Sequence, residues 1–262
     1  MPYAQINGHQ VYYEESGQGA SPLLLMNGIT MSTVGWTLML PMLERYFRVL
    51  RLDFIGQGQS DHPPADHYAL ADQADLACGL LDLLGIDQVY AAGLSYGGMV
   101  AQHFVHRHPA RAGRLFLAGT LAWSDSVNHY IGDSWIAANR QGGLDLRYEV
   151  SIPWLFSSRF LASSAPMLDD LKKMAGLVDW EAVIRLINGV KQHDARTWLP
   201  QLQLPTHILV GDEDRLTPLY QAQLLHGLIP GATLEVLPGA AHVLHIESAE
   251  AFARGIVRFG QA

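Results

Sequence analysis

Gly93-Leu94-Ser95-Tyr96-Gly97-Gly98 stands between an apolar run, Val89-Tyr90-Ala91-Ala92, and a helical pattern, Met99–Phe104. That reads as a strand, a tight turn and a helix, with Ser95 at the tip of the turn. A turn this sharp strains the serine backbone. Side chains two residues before and after it would collide with each other or with neighbouring strands, and glycine occupies both places, at Gly93 and Gly97. The strain lifts the Ser95 hydroxyl above the sheet edge, and the helix behind it points free N–H groups at any anion that develops there. G-x-S-x-G alone also fits a glycine-rich loop opening a helix in any α/β protein. With a strand before it and a helix after it, the motif points to nucleophilic chemistry.

The rest of the chain repeats the same alternation. Residues 3–6 and 9–15 alternate polar and apolar about Asn7-Gly8, as an edge hairpin does. Leu23–Met26, Val49–Asp53, Arg114–Ala118, His207–Val210 and Thr233–Leu237 read as strands. Leu23–Met26 is apolar on both faces, as expected inside a covered parallel sheet. Residues 36–46 look helical, as do Leu70–Leu84, stopped by Gly85, a stretch from about Pro218 to Leu228, and the last apolar stripe, Ala249 to Val257. Gly56-Gln57-Gly58-Gln59-Ser60 lacks the third glycine of a dinucleotide fingerprint, because Asp61 stands there, and reads as a structural turn. The expected fold class is α/β, a mostly parallel sheet with helices on both faces.

The alternation stops after Thr120. From Leu121 to about Pro200 there is no clear strand, only helical patterns such as Leu168–Met174 and Trp180–Val190, interrupted at Gly142-Gly143, Pro153 and Pro166. Five of the six tryptophans fall here. Residues 121–200 are expected to form a helical cap inserted into a core made of residues 1–120 and 201–262. A cap without its own sheet buries its apolar face against the core, and the seam is where a pocket forms. Trp123, Trp154 and Phe156 are the candidates to line it, although most such aromatics only build a cap's own interior.

Composition narrows the function classes. With 17 basic and 25 acidic residues in 262, the net charge is −8, which disfavours a nucleic-acid partner. A lone cysteine, Cys78, allows no internal disulfide and reads as a core residue. No apolar run reaches the roughly 18 residues of a membrane span. The N-terminus shows no basic region followed by an apolar core, so a cytoplasmic location is the expectation. A small-molecule substrate and a monomer or small homo-oligomer are expected.

A serine hydroxyl needs a base to take its proton and a group to orient that base. Asp214 follows one later strand and His242 follows the next, in the order Ser, Asp, His. Asp212, Glu213 and Asp125 compete with Asp214. Asp212 and Glu213 read as solvated, or as capping the next helix with Thr217. His245, on the connecting loop, competes with His242. On Gly93–Gly98, Gly211-Asp212-Glu213-Asp214, Gly239-Ala240-Ala241-His242 and Gly56–Ser60, the chain resembles the α/β-hydrolase superfamily over nearly its whole length. The resemblance implies a catalytic triad of Ser95, His242 and Asp214, and an oxyanion hole from the backbone N–H groups of Tyr96 and Ile29. It implies no metal or organic cofactor.

The oxyanion loop departs from the common pattern: most relatives have His-Gly where this chain has Asn27-Gly28. By resemblance, Asn-Gly also occurs in intracellular polyester depolymerases and hydroxyacyl transferases, and a related variant in enol-lactonases. Serine at position 95 sets aside the dehalogenases and epoxide hydrolases of this fold, whose nucleophile is aspartate. The expectation is a serine hydrolase cleaving a carboxylic ester with a small apolar or medium-chain acyl group. Lactone cleavage, acyl transfer through the same acyl-enzyme, and a ligand-binding receptor with a retained triad stay open.

Overall fold

Asn7 and Gly8 take φ of 52° and 84°, the pair of positive values that a two-residue hairpin turn needs. They join β1 (Tyr3–Ile6) to β2 (His9–Ser16) in the computed structural model, which describes residues 3–262. Then come β3 (Ser21–Met26), α1 (Leu40–Leu43), β4 (Phe47–Leu52), α2 (Leu70–Leu83), β5 (Val89–Leu94), α3 (Tyr96–Arg107) and β6 (Ala112–Ala118). Next are α4 (Ser126–Leu155), α5 (Ser158–Ser163), α6 (Ala165–Ala175) and α7 (Trp180–Val190). The chain closes with β7 (Thr206–Gly211), α8 (Leu219–Leu228), β8 (Thr233–Leu237), α9 (Leu244–Glu247) and α10 (Ala249–Gln261).

The strands form one sheet in the order β1-β2-β4-β3-β5-β6-β7-β8, antiparallel at β1–β2 and β2–β4 and parallel from there on. The fold is the α/β-hydrolase fold. Successive residues of β3 face opposite sides. Leu24 and Met26 join the core under α2, α3 and α8, whereas Leu23 and Leu25 join the core that holds Trp36, Phe252 and Ile256 on the other face. All four are fully buried, each contributing about 1.5–3 kcal/mol relative to exposure. Two-sided burial is why this strand reads as a continuous apolar run. Among the described residues no helix is long and apolar enough to cross a membrane.

Residues 36–46 do not form one helix. Trp36, Met39 and Leu43 do face the core at helical spacing, but the chain winds through a 3-10 turn at Thr33–Trp36 and only one α-turn, α1. Bonds such as Met39 N–H to Trp36 O (2.9 Å) and Tyr46 N–H to Leu43 O (3.0 Å) are of the tighter i to i+3 kind. Pro153, expected to interrupt a helix, lies inside the last turn of α4, which bends instead at Gly143 (φ 56°, ψ −142°).

Helices α4–α7 leave and rejoin the sheet through a two-stranded stem. Ser124 N–H donates to His193 O (2.9 Å), and Ala195 N–H donates to Ala122 O (2.9 Å). His193 Nε2 lies 3.2 Å from Leu121 O and its Nδ1 lies 3.3 Å from His103 Nε2. Both rings are therefore satisfied as neutral imidazoles. Burial pushes His193 down to about 3 and His103 down to about 4. Unfolded, each titrates near about 6.5, so between these values the unfolded chain binds more protons. Stability present above about pH 6.5 is lost as pH falls toward the folded values. The melting temperature should drop between about pH 7 and pH 4, and His193→Gln should flatten that drop. An equally steep pH dependence in the variant would contradict the assignment.

Candidate active site

Ser95 has φ 55° and ψ −116°, and is one of two non-glycine residues with positive φ among the described residues. Such a conformation costs on the order of 1–3 kcal/mol and persists only where its surroundings enforce it. Here Ser95 N–H donates to Ala118 O (2.8 Å), and Ser95 O accepts from Thr120 Oγ1 (2.8 Å) and Gly98 N–H (2.9 Å). The glycines on either side are steric necessities. A Cβ on Gly93 would lie 2.3 Å from Gly97 O, and one on Gly97 would lie 2.1 Å from Met26 O.

Strand order positions the partners. β4 lies on one side of β3 and β5 on the other, with Met26 paired to Gly93. The loops after β3 and β5 thus meet at the point where the sheet's winding reverses, the usual place for ligands in an open parallel sheet. β7 and β8 bring two further loops to the same edge. His242 Nε2 lies 2.9 Å from Ser95 Oγ, and His242 Nδ1 lies 2.9 Å from Asp214 Oδ2. The carboxylate can only accept, so Nδ1 carries a proton and Nε2 is left to accept from the serine hydroxyl. All three side chains are buried, and Ser95 keeps 7% exposure.

Asp214 is held at every lone pair. Its Oδ1 accepts from Leu216 N–H (3.0 Å) and Thr217 N–H (2.8 Å), and its Oδ2 accepts from Thr217 Oγ1 (2.8 Å) as well as from His242. The rival residues have other partners. Asp125 caps α4 through Val127 N–H and Asn128 N–H and accepts from the Tyr220 hydroxyl. Asp212 is exposed, as expected of a solvated acid, Glu213 is half-buried, and neither caps the helix that follows Thr217. Asp212 accepts from Gly239 N–H (2.7 Å) and Glu213 from Ser158 N–H (3.0 Å), while Asp214 itself holds Thr217. His245 lies in α9 rather than on a loop, its Nδ1 buried and unpartnered.

Among the described residues, the backbone N–H groups of Tyr96 and Ile29 have no hydrogen-bond acceptor. Tyr96 opens α3, where the first N–H groups of a helix have no intrahelical acceptor. Ile29 N–H has no acceptor among the described residues. Asn27 is fully buried behind Gly28, whose carbonyl accepts from Met31 N–H (3.1 Å). The Ile29 side chain packs against an aliphatic surface of α4 and α7, formed by Ile136, Val183, Ile184 and Ile187.

The helical segment is fastened to the loops that carry Asp214 and His242. Val243 N–H donates to Leu155 O (3.2 Å), Arg215 donates to Pro153 O (3.1 Å), and Ser157 donates to Glu247 through both N–H (2.9 Å) and Oγ (2.5 Å). Burial pushes the Glu247 carboxyl above the usual range. At this seam Phe156 is buried and stacks on Phe160 (4.9 Å between ring centres), and Trp154 is half-buried. Trp123 sits in the stem, where the Arg196 guanidinium covers its ring at 4.0 Å.

Three further residues bear on this site: Gly119, which the sequence reading passed over, and Thr217 and Gln57, which it read only as a helix cap and as part of a structural turn. A Cβ on Gly119, which has φ 47°, would come within 3.4 Å of Asp214 Oδ2 and 3.5 Å of His242 Nδ1. A Cβ there would make only ordinary van der Waals contact with the acid and the imidazole; it is the positive φ that calls for glycine, and its place directly after a strand was the available signal. Thr217 Oγ1 lies 3.2 Å from His242 Nδ1, and its spacing from Asp214 hinted at a loop bond. Gln57, in the Gly56–Ser60 turn, reaches the loop after β3, a contact that nothing local in the sequence marks.

Residues 23–255 match the profile of the alpha/beta hydrolase family. A poly(3-hydroxyalkanoate) depolymerase of Ectopseudomonas oleovorans is 30% identical over 245 residues, covering 92% of this chain and 84% of that protein. The crystal structure of MGS-M2, an alpha/beta hydrolase enzyme from a Medee basin deep-sea metagenome library, superposes with a TM-score of 0.94 at 26% identity, covering 99% of this chain and 97% of that one. The enol-lactonase from Burkholderia xenovorans LB400 superposes with a TM-score of 0.91 at 26% identity, covering 100% of both chains. With that profile spanning most of its length, and the strand order and serine turn described above, the chain belongs to the alpha/beta hydrolase family and is a hydrolase of that family.

Proposed function

We propose that the protein is a serine hydrolase that cleaves a carboxylic ester with a small apolar or medium-chain acyl group through an acyl-enzyme on Ser95. The continuous contact from Ser95 Oγ through His242 to Asp214, at 2.9 Å each, carries this reading. Ser95 Oγ attacks the acyl carbonyl as His242 Nε2 takes its proton. Asp214 keeps the imidazole in the tautomer with Nδ1 protonated and stabilises the imidazolium. The N–H groups of Ile29 and Tyr96 receive the oxyanion, and His242 returns the proton to the leaving alcohol. Water, activated by the same imidazole, then releases the acid. No step requires a metal or organic cofactor.

The acyl preference rests on the helical segment acting as a cap. The surface it turns toward Ile29 is aliphatic, so a hydrocarbon acyl chain loses little and gains burial there, about 0.8 kcal/mol per methylene. The depolymerase and enol-lactonase relatives support an oxygen ester, linear or cyclic, as the bond cleaved. A chain-length series of nitrophenyl esters with matched lactones, followed by intact-protein and peptide-mapping mass spectrometry, tests this. The expected result is turnover that rises with acyl length before falling, with an acyl mass on the Ser95 peptide. Inertness toward every ester and lactone would overturn it.

A further inference from the structure

A backbone donor in a loop stabilises an oxyanion only if its peptide plane is already fixed. Within the loop after β3, Met31 N–H donates to Gly28 O (3.1 Å) and Gly28 N–H donates to Met31 Sδ (3.2 Å). Its support from outside comes from the turn after β4. Gln57 Nε2 donates to Gly28 O at 2.8 Å and to Ile29 O at 3.2 Å. The same amide's Oε1 accepts from Asn27 Nδ2 (3.3 Å) and Phe54 N–H (3.3 Å). Asn27 is anchored in turn, with Nδ2 donating to Leu52 O (2.8 Å) and Oδ1 accepting from Trp36 Nε1–H (2.7 Å). Gln57 is 3% exposed and Asn27 fully buried.

In a trans peptide the C=O and N–H groups point in opposite directions. Two donors gripping the Gly28 carbonyl therefore turn the Ile29 N–H away from them. The elbow lies close by: a Cβ on Gly97 would lie 2.7 Å from Asn27 O, and one on Gly28 would lie 3.8 Å from Leu94 O. We propose that Gln57, steered by Asn27, is a positioning residue that sets the Gly28–Ile29 peptide plane, so that positions 27 and 57 work as one amide pair aiming the Ile29 N–H. This rests on the reading above that Ile29 N–H receives the oxyanion.

Only an uncharged amide meets all four demands at position 57, donating to two carbonyls while accepting from Asn27 and Phe54. A carboxylate would set negative charge against both carbonyl oxygens, beside Asp53, whose buried carboxyl is already pushed above its usual range. An apolar side chain would leave Ile29 O, and one lone pair of Gly28 O, without a partner.

The test compares wild type, Gln57→Met and Gln57→Glu on a nitrophenyl ester, with an aryl trifluoromethyl ketone as the tetrahedral-adduct probe. For Gln57→Met, kcat should fall about 10- to 100-fold, less than for outright loss of a donor, with KM changed by less than about twofold. Ketone affinity should fall by the same factor as kcat/KM, and Gln57→Glu should lose more than Gln57→Met. In wild type labelled with 15N, ketone binding should move the Ile29 amide proton downfield, and that shift should shrink in either variant that folds. Should neither fold, the wild-type spectrum decides: an Ile29 amide unmoved by bound ketone overturns the proposal. Unchanged kcat and ketone affinity in Gln57→Met, or a loss confined to melting temperature and KM, would also overturn it. Wild type that neither turns over ester nor binds the ketone would instead overturn the ester-hydrolase reading, and the proposal with it.

Discussion

Replacing Ser95 by alanine should lower kcat on simple esters by about 10⁴-fold or more while leaving the fold in place. The hydroxyl is the atom that bonds to the acyl carbon, and among the described residues Ser95 alone offers a side-chain oxygen to His242 Nε2 at bonding distance. The strained backbone does not depend on that hydroxyl. It is fixed by Ser95 N–H to Ala118 O and by Thr120 Oγ1 to Ser95 O, both of which alanine retains. The variant should therefore melt within a few degrees of wild type and still bind substrate. Steady-state kinetics beside a thermal melt checks both halves. Activity within about tenfold of wild type would show that another group carries the reaction.

Asp214→Asn should cost nearly as much, about 10⁴-fold in kcat, for a different reason. The asparagine Oδ1 can still accept from Leu216 N–H and Thr217 N–H, so the loop survives. Its Nδ2, however, now faces His242 Nδ1 and donates to it. The ring takes the other tautomer, with the proton on Nε2, and cannot accept from Ser95. Asp212→Asn is the control. Its carboxylate accepts from Gly239 N–H, away from the imidazole, and the substitution should change kcat by less than about threefold. Equal losses in the two variants would mean that Asp214 acts through loop structure alone.

What could be read from the sequence followed from local periodicity and from strand ends. β3, β5, β6 and β7 are buried on both faces, so their residues form apolar runs whatever lies on either side. The turn at Ser95 carries its own steric signature in Gly93 and Gly97. Asp214 and His242 follow strands of one parallel sheet, which delivers its loops to one edge however far apart they lie in the chain. Helical spacing misled at residues 36–46, because Trp36, Met39 and Leu43 bury equally well from 3-10 turns. The bonds that Asp212 and Glu213 accept were not legible, because their partners, Gly239 and Ser158, are remote in sequence. Gln57 was read only as part of a structural turn, for the same reason. A side chain that crosses 29 residues of sequence to hold one carbonyl leaves no trace in local pattern.

The central claim is that Ser95 is a nucleophile activated by His242. Treating the folded protein with a stoichiometric fluorophosphonate, then mapping the adduct by peptide mass spectrometry, tests it most directly. A single adduct should form on Ser95 in wild type, none in Ser95→Ala, and labelling should slow by about 10³-fold or more in His242→Ala. Folded wild-type protein left unmodified at Ser95, or His242→Ala labelled as fast as wild type, would contradict it.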